Sequence, residues 1–187
     1  MASEPLPFAT PQAWREWLSA HPDAGECWVL LHKKATGLPS ITWEEAVVEA
    51  LAHGWIDGVK KSVSETQWVQ RFTPRKGGSA WSQKNIAHAE TLIAEGRMTP
   101  AGLAQVALAK ANGRWETAYS GGKGADLPAD FLKAVAQNPG AAEALKALDA
   151  KNRYAIYYRL TTAKRLETRA KRVADFVAML ARGERLH

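Results

Sequence analysis

Apolar residues recur with two different periods along the first half of the chain, and the points where the period changes predict its elements. Trp14, Trp17 and Leu18 share a face at helical spacing behind Thr10-Pro11, an N-cap followed by a proline at the first helical position. Trp28-Val29-Leu30-Leu31-His32 is a short apolar run that reads as a buried strand, ending at Gly37-Leu38-Pro39. Thr42-Trp43-Glu44-Glu45 matches a capping box, and Ala46, Val47, Ala50 and Leu51 continue at helical spacing until Gly54 offers a stop. The period then changes to two. Residues 59–63 and 67–73 predict a hairpin turning near Ser64-Glu65-Thr66, with Trp68 and Phe72 on one face and Val69 and Arg71 on the other. The order helix, strand, helix, strand, strand predicts an α+β fold: a small, mostly antiparallel sheet with packed helices.

Beyond the hairpin the helical period dominates. Ser82 caps a predicted helix carrying Ile86, Ala89 and Ile93 and ending at Gly96, and Thr99-Pro100 opens another carrying Leu103, Val106 and Ala107 up to Asn112-Gly113. Trp115 is placed on a short strand. Ser120-Gly121-Gly122-Lys123-Gly124-Ala125-Asp126 has three glycines in five residues and no large side chain, so it reads as a linker. The predicted organisation is an α+β domain over 1–119, a Gly-rich linker over 120–127 and a helical carboxy-terminal module over 128–187. Within that module, residues 128–137, 141–148, 152–160 and 163–182 predict helices. Thr161-Thr162 caps the last one, and Leu166, Ala170, Val173, Val177 and Leu180 form its packed face.

Composition adds bounds to this picture. A chain of 187 residues with 46% hydrophobic content can build a real core. The single cysteine, Cys27, permits no intrachain disulfide and lies in an apolar run, so it is expected in the core. The opening residues lack a basic region followed by an apolar one, and no segment approaches the ~20 apolar residues of a membrane span. A soluble cytoplasmic protein is the expectation.

The formal charge of +6 is unevenly placed. Residues 128–187 hold twelve basic and six acidic side chains, and the rest of the chain is balanced. Lys164, Arg165, Arg169, Lys171 and Arg172 are therefore the candidate contacts for nucleic acid. Their spread over most of an exposed helical arc favours a solvated face instead.

Candidate chemistry concentrates in Gly54-Trp55-Ile56-Asp57-Gly58 and in the run from Arg71-Phe72-Thr73-Pro74-Arg75 to Ser82-Gln83-Lys84-Asn85. These segments are expected at loops and strand ends, where ligand contacts gather. Arg71 and Arg75 supply guanidinium forks, and Gly77-Gly78-Ser79 lets backbone approach closely. With Ser82 and Asn85 at a helix start, they suggest an anion site. Trp55 and Trp81 would wall an aromatic ligand, and Asp57 is the acid among them. In the competing structural reading, Asp57 bridges Arg71 or Arg75 while the tryptophans fill the core.

The run is not a phosphate-binding P-loop, because the second glycine is missing. His21, His32, His53, His88 and His187 are scattered without metal-ligand spacing, so neither a metal nor a cofactor is expected. His53 reads first as a helix C-terminal histidine favoured by the macrodipole, and second as a general base. No Gly-x-Ser-x-Gly elbow is present. An enzyme is possible, but no residue pattern nominates its reaction.

Residues 54–85, the Thr99-Pro100-Ala101-Gly102 run, and above all Leu127-Pro128-Ala129-Asp130-Phe131 through Glu167-Thr168-Arg169-Ala170-Lys171-Arg172-Val173 resemble the bacterial YdeI/OmpD-associated (OmdA) family, also labelled bacteriocin-protection. The resemblance implies an amino-terminal part of the compact α+β YjbR/CyaY-like kind. The frataxin-like side of that group carries an acidic iron-associated ridge, which this chain lacks. The label also names association with an outer-membrane porin, and the missing export signal counts against direct porin binding. The combined expectation is a protein that binds a small, partly anionic molecule and contributes to stress or antimicrobial tolerance. Nucleic-acid association and an enzyme of unidentified reaction are the alternatives.

Overall fold

In a computed structural model, residues 4–120 and 126–187 are described. The central glycines of the expected linker, at 121–125, lie outside the described residues. The chain divides into two compact units, one running to Ala118 and the other from Tyr119 to His187.

The first unit is built on a four-stranded sheet. Its strands β1 (Leu6–Pro7), β2 (Cys27–His32), β3 (Trp55–Ser62) and β4 (Gln67–Pro74) lie in the order β1-β2-β4-β3. Only the β1–β2 pair is parallel. The register Cys27↔Phe72 and Leu31↔Trp68 puts alternate residues of β2 and β4 on one face, as the period of two requires. Cys27, Val29, Leu31 and Phe72 are buried there with Trp14 and Leu18 of α1 (Pro11–Ala20) and with Ala46, Val47 and Leu51 of α2 (Trp43–Ala52). The buried Trp14 indole donates to the Ala46 carbonyl at 3.0 Å, so its polar atom is satisfied as the ring fills the core. Burial pushes the Cys27 thiol up to about 12, which makes it an inert core group.

Local signals set the helix ends. Thr10 accepts from the Ala13 N–H before α1, and Thr42 and Glu45 close the full capping box of α2. Gly54, at φ +76°, then turns the chain into β3. Helices α3 (Gln83–Ala94) and α4 (Pro100–Ala111) are capped by Ser82 and Thr99.

Several expectations shift. The Trp55-Ile56-Asp57-Gly58 run is strand from its first residue, with a bulge between Asp57 and Lys60 where a loop was expected. The two-residue β1 is too short to leave a periodic signal. On α3 the core takes Leu92 and leaves Ile93 exposed, because both lie one helical step from Ala89. On α4 it takes Gly102, Val106 and Ala109, and Leu103 is exposed. Trp115 lies in a turn and packs on Trp81, with ring centres 5.0 Å apart.

The helices and strands found among the described residues of the second unit are all α-helices: α5 (Ala129–Ala136), α6 (Pro139–Lys146), α7 (Ala150–Thr161) and α8 (Leu166–Ala181). Phe131, Val135, Leu145, Ile156, Leu160, Phe176 and Leu180 form its core. Here α7 runs on to Thr161, so Thr161-Thr162 closes that helix and does not cap the next. Leu166 is 85% exposed at the first position of α8, about three turns before Phe176, where that helix first buries a side chain fully in the core.

Candidate functional site

The expected site residues separate into four groups. Trp55 belongs to the core, edge-on to Trp14 and Trp17 at 6.4 and 6.1 Å between ring centres. Arg71 lies on the face of β4 opposite Phe72, and its guanidinium meets Glu26 at 2.6–2.7 Å, so it is spent on tying β4 to the start of β2. Ser79 accepts from the Lys76 N–H at 3.0 Å, and Ser82 accepts from the Asn85 N–H at 3.1 Å. Those three close a turn and a helix cap. The remaining residues, Asp57, Arg75 and Trp81, come together.

Arg75 follows the last residue of β4, and its N–H donates to the Gly54 carbonyl at 2.9 Å, which extends the hairpin by one rung. Its side chain folds back over the Trp81 ring with Cζ 3.8 Å from the centroid, and one terminal nitrogen donates to the Ala80 carbonyl at 2.8 Å. Only 5% of Arg75 and 3% of Trp81 are exposed, so this cation–π contact is desolvated and at the strong end of its range.

Asp57 pairs with Phe72 on the helix-facing side of the sheet. Burial raises its carboxyl pKa, and the opposing influences are a hydrogen bond from Trp43 and the positive charge of Arg75. Trp43, the first residue of α2, is 39% exposed and holds the outer edge. Lys84 Nζ stands 5.7 Å from its ring centre and 2.7 Å from Glu44, and that ion pair holds the Glu44 carboxyl below its ordinary range.

Sequence reasoning missed Trp43 and Lys84. Trp43 was visible only as a member of the capping box, and its position at the helix start points it back toward the strand that follows. The arrangement offers a flat exposed indole, a cation at the rim, and a carboxyl biased toward its neutral form next to a buried guanidinium. It can receive a small planar or partly anionic group through stacking, ion pairing and hydrogen bonds.

Residues 6–105 match the family described as a domain of unknown function (DUF8412), a span of more than half the chain. The chain belongs to that family. Residues 125–183 match the family described as bacteriocin-protection, YdeI or OmpD-associated (OmdA), which covers the helical second unit. Neither a curated protein nor a solved structure matches the chain.

Most of the basic residues of this OmdA-like module are internally engaged. Arg169 forks onto Asp130 at 2.8–2.9 Å and also donates to the Leu160 carbonyl. Arg172 donates to the Arg159 carbonyl, and Lys171 pairs with Asp175. Lys164 and Arg165 are exposed just before α8. No helix among the described residues is long and apolar enough to cross a membrane. No cluster of three or more His, Cys, Asp or Glu that could hold a metal ion occurs among them either.

Proposed function

We propose that this bacteriocin-protection-associated chain binds a small, partly anionic molecule through its amino-terminal unit, at the cluster of Trp43, Asp57, Arg75, Trp81 and Lys84. One observation carries the reading: a guanidinium and a carboxyl are both held largely out of water, beside an exposed tryptophan. Buried charge is weak support for stability, and groups so placed concentrate where ligands are recognised. In this reading Lys84 meets the ligand's anionic group, the Trp43 face takes its flat part, and Arg75 keeps the local potential positive from beneath. Asp57, whose burial raises its carboxyl pKa, exchanges a hydrogen bond with a neutral polar group of the ligand. The contribution to stress or antimicrobial tolerance follows the family description of residues 125–183. The α+β layer is compatible with the YjbR/CyaY-like relationship, which is part of the same proposal.

A thermal-shift screen of inorganic phosphate, nucleotides and carboxylated metabolites tests the site, using wild type and Lys84→Ala. One class is expected to raise the wild-type Tm. Lys84→Ala should lose that response while its own Tm stays within about 2 °C, because an exposed lysine supports little stability. Equal responses in the two proteins, or none in wild type, would remove the reading.

A further inference from the structure

A cavity in the same unit, lined by none of the residues of that cluster, contains a hydrogen-bonded serine and histidine. Its volume is about 360 Å³, and Ser19, near the end of α1, and His53, at the C-terminal cap of α2, both line it. Ser19 Oγ stands 3.1 Å from His53 Nε2, and His53 Nδ1 stands 3.0 Å from the Glu49 carbonyl oxygen. A carbonyl only accepts, so Nδ1 carries the ring proton of the neutral imidazole. Nε2 is then the lone-pair nitrogen, and the serine hydroxyl donates to it. The hydroxyl is also 3.0 Å from the Arg15 carbonyl, an alternative acceptor for the same proton. A nucleophile within reach of a base, and a base oriented by a third group, is the arrangement that activates serine.

The residue that supplies the backbone carbonyl to His53 Nδ1 is firmly placed. Glu49 is 3% exposed, and its carboxylate takes a bidentate pair from Arg15 at 2.8 Å and a further bond from Arg97 at 2.6 Å. The opposite wall is equally fixed. Thr99 donates to the Ala52 carbonyl through both its backbone N–H and its hydroxyl, at 2.9 and 2.8 Å. A Cβ on Gly102 would come within 2.4 Å of that oxygen, and one on Gly54 within 2.9 Å of the Ala101 carbonyl. Glycine at both positions therefore lets the start of α4 press against the end of α2.

This contact brings Ala101, at the second position of α4, to the cavity lining. Its N–H belongs to the helix's first turn, where donors lack an intrahelical acceptor and the dipole favours negative charge. Leu18, Pro22, Trp55 and Pro100 supply apolar walls, and no Lys, Arg, Asp or Glu lines the cavity.

We propose that Ser19 and His53 are a nucleophile–base pair that hydrolyses small, uncharged carboxylic esters in this cavity. Ser19 Oγ bonds to the ester carbonyl carbon while its proton passes to His53 Nε2. The carbonyl oxygen takes the electron pair as an oxyanion, stabilised by the first turn of α4. On collapse the bond from carbon to the alcohol oxygen breaks, and His53 returns its proton to the departing alkoxide. A water then attacks the acyl-serine with His53 as base, which releases the carboxylic acid and restores the hydroxyl.

The test uses the full chain with two probes, diisopropyl fluorophosphate and p-nitrophenyl acetate. Peptide mass spectrometry is expected to find the phosphoryl adduct on Ser19, formed with loss of fluoride. Ester turnover should fall by about 10²-fold or more in both Ser19→Ala and His53→Gln. Circular dichroism and Tm of the two variants establish that they are folded. The labelling arm needs no variant. Wild-type protein that acquires no adduct at Ser19, or turnover that survives Ser19→Ala, overturns the proposal.

Discussion

Replacing Arg75 by alanine tests whether the first-unit cluster is organised as described. The substitution removes a charge-assisted hydrogen bond to the Ala80 carbonyl, of the order of 1.5–3 kcal/mol. It also removes a desolvated cation–π contact with Trp81, up to about 2 kcal/mol. The aliphatic stem that covers the indole goes with it, and Asp57 loses the nearby positive charge that offsets its burial. Because these contacts share one side chain, they do not sum fully, and a net loss of about 3–5 kcal/mol is expected.

For a domain of this size that loss corresponds to a fall in Tm of roughly 10–20 °C. The measurement is urea and thermal unfolding followed by tryptophan fluorescence, where loss of the Arg75 contact should also change the emission of Trp81. A loss below about 1 kcal/mol would refute the reasoning. It would mean that the guanidinium is solvated in the native protein and that the Arg75–Trp81 stack contributes almost nothing. Ligand response alone could not make this distinction, since an arginine that both supports the fold and faces a ligand gives a loss of both.

Two further outcomes follow from the same packing. Asp57→Asn should gain stability on wild type as pH rises. A carboxyl whose pKa is raised by folding stabilises the native state fully below the unfolded value of about 3.8 and loses that contribution as pH climbs through the folded pKa, whereas asparagine does not titrate. Urea midpoints of the two proteins at pH 3, 5 and 7 check this, and a difference that is flat or reversed in sign would contradict the burial of Asp57. Gly102→Ala should cost about 3 kcal/mol or more because its Cβ would overlap the Ala52 carbonyl, while Gly78→Ala, with open space around it, should stay within about 1 kcal/mol of wild type. Equilibrium unfolding of the pair measures both.

Much of the fold was legible because its signals are local. Thr10, Thr42, Ser82 and Thr99 each place a hydroxyl before a helix, and each accepts from a first-turn N–H as its position implies. The hairpin faces follow from the period of two, with Phe72 inward and Arg71 outward. What failed depends on neighbours far away in sequence. Ile93 and Leu92 are equivalent to a helical wheel, and only the surface packed against α3 selects Leu92. Leu166 satisfies the period of α8 yet lies before the turn at which that helix meets its core.

The same distinction explains why the site was only half visible. The Arg75–Trp81 stack spans six positions of sequence, so its members could be suspected together from the loop that joins them. Trp43 reaches Asp57 of β3 from helix α2, and Ser19 meets His53 across 34 positions, so no spacing rule could nominate either pair. Trp55 shows the converse limit. Its neighbours in sequence suggested a ligand wall, whereas its ring is committed to the core against Trp14 and Trp17. One edge of that buried tryptophan nevertheless closes the cavity at Ser19 and His53. The packing that fixes the sheet against α1 therefore also sets the shape of the cavity, and a substitution at Trp55 would disturb fold and cavity together. Ser19 and His53 can be changed with less disturbance of the core, which is why the esterase test rests on them.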